Sequence, residues 1–204
     1  MFNQPELFAS PSLSADVIDI KGFKYVSDFI STQEQADLLQ AIDKAAWLDD
    51  LKRRVQHYGY KYDYKKRNID ASMKIAGLPD WALLLAKRLH REGLTPYEAD
   101  QLIINEYYPG QGIAAHIDCE PCFEDTIISL SLGSACVMDF THKDDKTLKH
   151  SQLLAPCSLI VLQGEARYDW LHGIKANKTD IYQGRKIPRQ RRVSLTFRKV
   201  ILKD

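Results

Sequence analysis

His116-Ile117-Asp118 is the first point along the chain where residue types and spacing suggest chemistry. Residues two apart on a strand, or at its end, point the same way, so an imidazole and a carboxylate can meet at one ion while Ile117 packs behind them. A facial site for Fe(II) needs one further ligand, a neutral imidazole, and keeps three positions open. His172, in Tyr168-Asp169-Trp170-Leu171-His172-Gly173, follows a run with the composition of a buried strand, and the glycine after it lets the backbone pass close to an ion. His142 and His150 lie in and beside a Lys/Asp-rich loop from Thr141 to Lys149, a solvated place for a ligand, so His172 is preferred to either. A bare His-x-Asp is a weak signal, and its weight comes from what accompanies it.

Its strongest companion is Arg192-Val193-Ser194-Leu195-Thr196-Phe197-Arg198. Alternation puts Val193, Leu195 and Phe197 in one layer and Arg192, Ser194, Thr196 and Arg198 on the other face. A solvent-facing strand carries such arginines without consequence. A short diacid, however, needs fork-shaped partners, because paired N–H donors fix a carboxylate by geometry as well as by charge. Asn105 and Tyr107 share one side of an earlier strand, ahead of the turn at Pro109-Gly110, and an amide and a phenol there can donate to carboxylate oxygens. A metal triad upstream and an arginine-lined strand downstream describe one pocket.

These residues need elements to hold them. With 204 residues, one substantial core and one domain suffice. A hydrophobic share of 45% and a charged share of 27% are ordinary for a globular protein, which excludes a disordered or fibrous chain. The net charge of +1 gives no overall field for a polyanion, so nucleic-acid affinity must come from local basic patches. No apolar run is long enough to span a bilayer, and the N-terminus has no signal-peptide pattern. The expectation is a cytoplasmic monomer without membrane contact. Cys119 and Cys122 are close enough to bind zinc or to form a redox pair, but Cys136 and Cys157 make no second pair, so incidental thiols are expected.

Residues 1–15 read as an irregular leader and 16–204 as a single domain, split into a helical support with a substrate lid (16–99) and a sheet core (100–204). Val17 to Val26 suggests a strand and turn. Ser31 with Glu34 has capping-box spacing ahead of Leu38, Leu39, Ile42 and Ala46, and a second helix is expected from Pro79 to His90 with Trp81, Leu84, Leu85 and Leu89 on one face. From Asp100 onward short apolar runs alternate with turn residues: Leu102–Ile104, Thr126–Leu132, Ala135–Phe140, Ser158–Leu162 and Val193–Val200. The fold class is α+β, mainly β, with flanking N-terminal helices and an antiparallel sandwich or jelly roll. Lys52 to Arg67 interleaves cations with tyrosines, among them Arg53, Arg54, Tyr58 and Tyr60, a pattern that can hold phosphates and stack on an unpaired base. A solvated edge strand is the alternative. Glu120 can reach a base edge or simply face solvent.

Three segments in order resemble the AlkB family of oxygenases: Asn105-Glu106-Tyr107-Tyr108-Pro109-Gly110 leading to His116-Ile117-Asp118, the step His172-Gly173-Ile174, and Arg192 to Arg198. Phe123-Glu124-Asp125, Ser129 to Ser134 and Gly164 to Tyr168 most resemble the branch whose animal members add an RNA-recognition module and a tRNA methyltransferase. The resemblance implies a double-stranded β-helix core, Fe(II) on His116, Asp118 and His172, and 2-oxoglutarate on Asn105, Tyr107, Arg192 and Arg198. Ser194 stands where relatives often carry Asn. It further implies that Lys52 to Arg67 forms a nucleotide-recognition lid, and that O2 and 2-oxoglutarate are consumed, with succinate and CO2 formed, to hydroxylate a C–H bond. Oxidative demethylation of alkylated bases in single-stranded DNA or RNA is the first expectation. Hydroxylation of a tRNA wobble uridine, a protein or a small molecule is the second, and a non-catalytic nucleic-acid-binding module the third.

Overall fold

The computed structural model describes residues 17–49, 52–63 and 66–202, so the 1–15 leader, and Tyr64 and Lys65 of the basic stretch, lie outside the described residues. In chain order the elements are β1 (Phe23–Val26), α1 (Thr32–Asp43), β2 (Val55–Tyr60), β3 (Lys74–Ala76), α2 (Asp80–Arg91), β4 (Gln101–Tyr107), β5 (Ile113–His116), β6 (Ile127–Gly133) and β7 (Cys136–His142). They continue as β8 (Lys149–Leu154), β9 (Leu159–Leu162), α3 (Gly164–Tyr168), β10 (Trp170–Ile174), β11 (Thr179–Tyr182), β12 (Arg185–Pro188) and β13 (Arg192–Arg198).

Antiparallel pairing joins these into a major sheet, β1-β9-β6-β13-β4-β2-β3, a minor sheet, β5-β10-β7-β8, and the separate hairpin β11-β12. The two sheets face one another across a core containing Ile127, Ile160, Leu162, Met138, Phe140 and Trp170, which is the jelly-roll arrangement. On the opposite face of the major sheet the helices α1 and α2 lie against Leu102, Ile104, Val193, Leu195 and Phe197. Alternation along β13 therefore has a cause on both sides: one set of side chains meets the helices, and Arg192, Ser194, Thr196 and Arg198 are turned inward between the sheets. They are buried, which removes the solvent-facing reading.

The start of α1 is fixed by its capping box. Ser31 Oγ accepts from the Glu34 amide at 3.1 Å, and the Ser31 amide donates to the Glu34 carboxylate at 2.7 Å. Helix α2 differs from expectation in its phase. Ala82, Leu85, Ala86 and Leu89 face the core, whereas Leu84 is 69% exposed, because the small alanines allow the closest approach to the sheet. Ala46 falls beyond the end of α1. Strands β3, β8, β11 and β12 carried too little apolar periodicity to be anticipated, and β2, in the stretch for which a solvated edge strand is the alternative, sits inside the major sheet between β4 and β3. No helix among the described residues is long and apolar enough to cross a membrane.

Candidate metal and diacid site

The pairing of β5 with β10 builds the metal end of the site. His172 and His116 are register partners, and the next pair is Ile174 with Ile113, so β5 contains one extra residue, a bulge that redirects His116. The strands approach so closely that a Cβ on Gly173 would stand 2.8 Å from the Ala115 nitrogen, and one on Gly112 2.2 Å from the Ile174 oxygen. Both glycines are thus required by the contact that sets the two imidazoles side by side, with ring centres 4.6 Å apart and planes tilted by 51°. Asp118 follows the end of β5 and puts its carboxylate 3.7 Å from His172 Nε2. One ligand atom from each of His116, Asp118 and His172 lies within 4.8 Å of the others.

The surroundings hold this set in its ligand form. His116 Nδ1 lies 2.9 Å from the Ala114 carbonyl, which leaves Nε2 for an ion. Burial, with His116 alongside, lowers the pKa of His172 to about 3, so its imidazole is neutral at physiological pH. Burial by itself would raise the Asp118 carboxyl, but Arg198, followed by the two imidazoles, holds it well below the usual carboxylate range. Arg198 Nη2 donates to Asp118 Oδ1 at 2.7 Å. Arg167, on α3, is 2% exposed and donates to the Asp118 and Cys119 carbonyls at 3.0 and 3.3 Å, which fixes the backbone of the carboxylate ligand from behind.

Between the sheets, next to these three side chains, is a small cavity. Asn105, Tyr107, Arg192, Ser194 and Arg198 all line it, together with Ser129, Thr196 and an apolar wall of Ile127, Met138, Ile160, Leu162 and Ile174. Arg192 Nη2 donates to Ser131 Oγ at 2.9 Å, while the Nε atoms of Arg192 and Arg198 are buried without a partner. Burial pushes the Tyr107 phenol up, so it remains a donor. Ser194 Oγ is 2.9 Å from Ser129 Oγ, and Asn105 Oδ1 accepts from Arg53 Nε at 2.8 Å. Two buried guanidiniums with unused donors, against one carboxylate that belongs to the candidate ligand set, make a cradle for a small dianion. A neutral imidazole pair with a carboxylate suits Fe(II). The residues therefore fit both groups.

A second cavity opens on the other side of His116 and Asp118, lined by Arg53, Tyr62, Arg67, Ile113, Ala114, Ile117 and Cys119. Of the five residues singled out for substrate, Arg53 alone lines it. Arg54 donates twice to the buried Glu106, at 2.6 and 2.9 Å, and lies over Trp47. Tyr58 packs edge-on against Trp81 and bonds Gln56, Tyr60 is buried in the inter-sheet core, and Glu120 is exposed on a short 3-10 turn. Tyr62 and Arg67 belong to the same basic, aromatic stretch, but which of its residues turn toward the mouth depends on how the chain bends after β2. No sequence period marks Arg167. The incidental-thiol expectation is corrected: the turn brings the Cα atoms of Cys119 and Cys122 to 5.3 Å and the two sulfurs are bonded, beside the Arg67 carbonyl.

Comparison with known proteins adds three findings. Residues 22–198 match the family model described as the 2OG-Fe(II) oxygenase superfamily. The chain is similar to an Arabidopsis thaliana protein named alkylated DNA repair protein ALKBH8 homolog, 37% identical over 93% of this chain and 61% of that one. It is 42% identical to a Macaca fascicularis tRNA (carboxymethyluridine(34)-5-O)-methyltransferase ALKBH8, over 79% of this chain and 25% of the relative. The chain thus spans between about a quarter and three fifths of the length of these relatives. Among solved structures OsALKBH1 superposes with a TM-score of 0.72 at 15% identity, over 91% of this chain and all of that one, a likeness of fold.

Proposed function

This chain belongs to the 2OG-Fe(II) oxygenase superfamily, and within it to the AlkB family, and from that premise we propose that it oxidises a C–H bond on a modified base of a single-stranded nucleic acid. Enzymes of this family require Fe(II), 2-oxoglutarate and O2. In this reading His116, Asp118 and His172 hold the iron, and Arg192 and Arg198, with Asn105 and Tyr107, hold the diacid. Bound iron supplies oxidising power that no side chain has, coupled to the conversion of 2-oxoglutarate to succinate and CO2.

The remaining work is done by the chain. Arg192 and Tyr107 orient the diacid, the apolar wall of Ile127, Met138, Ile160 and Leu162 keeps water from it, and Arg198 with Arg167 keeps Asp118 in place. The second cavity supports the substrate side, since it shares His116 and Asp118 with the first and brings Arg53, Arg67 and Tyr62 to a base presented there. An aromatic ring between two cations suits an unstacked base with its phosphate.

The charge of that cavity favours one substrate class. Among the described residues that line it, the one acidic group is Asp118, which is already paired with Arg198, so the wall is cationic. Cationic N-methyl bases such as 1-methyladenine are repelled there, and a neutral or anionic substituent is attracted. We therefore place the side chain of a wobble uridine first, in keeping with the carboxymethyluridine in one relative's name. Demethylation of alkylated bases is the second reading, supported by the repair name of the other. Competing RNA strands carrying carboxymethyluridine or 1-methyladenine separate the two: succinate formation with hydroxylation of the uridine side chain supports the first. Formaldehyde release from methyladenine with no uridine oxidation supports the second.

A further inference from the structure

The β11-β12 hairpin takes no part in either cavity, yet it is held in place by costly interactions. Arg189 and Asp180, each 5% exposed, form a two-pronged ion pair at 2.6 Å, and Asp180 also accepts from the Val137 amide at 3.0 Å. Arg189 Nη1 donates to the Lys175 carbonyl at 2.7 Å and to the Gln111 carbonyl at 3.3 Å. A buried ion pair contributes little net stability because both charges lose water; here it fixes where the hairpin stands. Tyr182 and Ile187 pack its inner face on Val137 and Leu153.

The same contacts tie the hairpin to the substrate mouth. Gln111 Nε2 donates to the carbonyl of Lys52, next to Arg53, at 2.7 Å. On the other side of this turn the Gly110 amide donates to Asn177 at 3.0 Å, and a Cβ on Gly110 would lie 3.9 Å from Lys178 Cγ. Tyr108, 46% exposed, belongs to the turn between them. Lys178, Arg185 and Lys186 are exposed, and none joins an ion pair among the described residues, whereas nearby Lys175 pairs with Asp139 at 2.9 Å. Unpaired cations with an exposed ring between them match the way single strands are held, by phosphate contacts and base stacking.

Resting on the proposal that the substrate is a strand, we propose that a basic track from Arg67 and Arg53 past Tyr108 to Lys178, Arg185 and Lys186 holds the phosphates flanking the target nucleotide. The test is the triple variant K178A/R185A/K186A against the unchanged protein, with RNA and DNA strands of roughly three and roughly fifteen nucleotides. Removing three phosphate contacts should reduce the slope of log affinity against log salt by about 2 for the longer strand and weaken its binding by about tenfold or more at low salt. Turnover of the shorter strand, and diacid decarboxylation without a strand, should stay unchanged, and the RNA and DNA arms identify which backbone the track serves. Equal salt slopes for variant and unchanged protein overturn the track while leaving the strand reading intact. An unchanged protein that neither binds nor oxidises any strand overturns both.

Discussion

Arg192→Met separates the grip on the diacid from the rest of the site. The guanidinium is 3% exposed, donates to Ser131 Oγ at 2.9 Å, lies 5.6 Å from the centre of the Tyr107 ring and leaves Nε unbonded. A bound carboxylate turns this lone buried cation into a charge-assisted pair. Truncating one partner of such a pair costs about 2–5 kcal/mol, which is a loss of 2-oxoglutarate affinity between roughly thirtyfold and several thousandfold. Arg192 does not touch the three metal ligands, so affinity for Mn(II), a redox-inert stand-in, should change by no more than about threefold. Without the diacid the variant lacks an uncompensated buried charge and should unfold at the same temperature as the unchanged protein or above it. Anaerobic calorimetry with Mn(II) followed by 2-oxoglutarate, together with thermal unfolding, measures all three quantities. The reasoning is refuted if the variant binds 2-oxoglutarate within about threefold of the unchanged protein, or loses metal and diacid affinity alike.

Gly173→Ala puts a Cβ 2.8 Å from the Ala115 nitrogen, which forces β10 away from β5. Activity should fall on the order of a hundredfold, with weaker Mn(II) binding and an unchanged circular dichroism spectrum. Glu106 is fully buried between Arg54 and Arg191, but both arginines are partly exposed and Arg191 keeps Asp43, so Glu106→Gln should lower stability to urea by about 1–2 kcal/mol, with no loss of metal affinity. Arg53→Ala and Arg67→Ala should raise KM for a strand, while Arg54→Ala should lower the melting temperature and leave that KM alone. The His172 pKa is depressed from 6.5 to about 3, so as pH falls through this window the unfolded chain takes up a proton that the folded, metal-free chain refuses. From pH 7 to pH 5 that single group removes about 2 kcal/mol of stability, a loss that urea titration should find absent in His172→Asn.

Much of the fold could be read because local patterns and tertiary contacts agree. Ser31 with Glu34 marks the start of α1, and alternation along Arg192–Arg198 assigns both faces of β13. The candidate metal ligands share one cavity because His116 and Asp118 need only local geometry, and His172 only its pairing with β5. What depended on tertiary context was hidden. Arg54 looked like a phosphate ligand until Glu106, more than fifty residues away, was seen beside it. Leu84 suited the apolar face of α2, but Ala82 and Ala86 pack closer. The importance of Arg167 comes from two carbonyls on a distant loop. The Cys119–Cys122 bond depended on a 3-10 turn that no apolar period announces.

The central claim is that His116, Asp118 and His172 hold one iron ion beside a diacid gripped by Arg192 and Arg198. Its most direct test is anaerobic addition of Fe(II) and then 2-oxoglutarate, followed by visible absorption, to the unchanged protein and to His172→Ala. The account predicts a charge-transfer band that saturates at one iron and one 2-oxoglutarate per chain and is lost in the variant. A band of equal strength in His172→Ala, or none in the unchanged protein at saturating Fe(II) and 2-oxoglutarate, would contradict it.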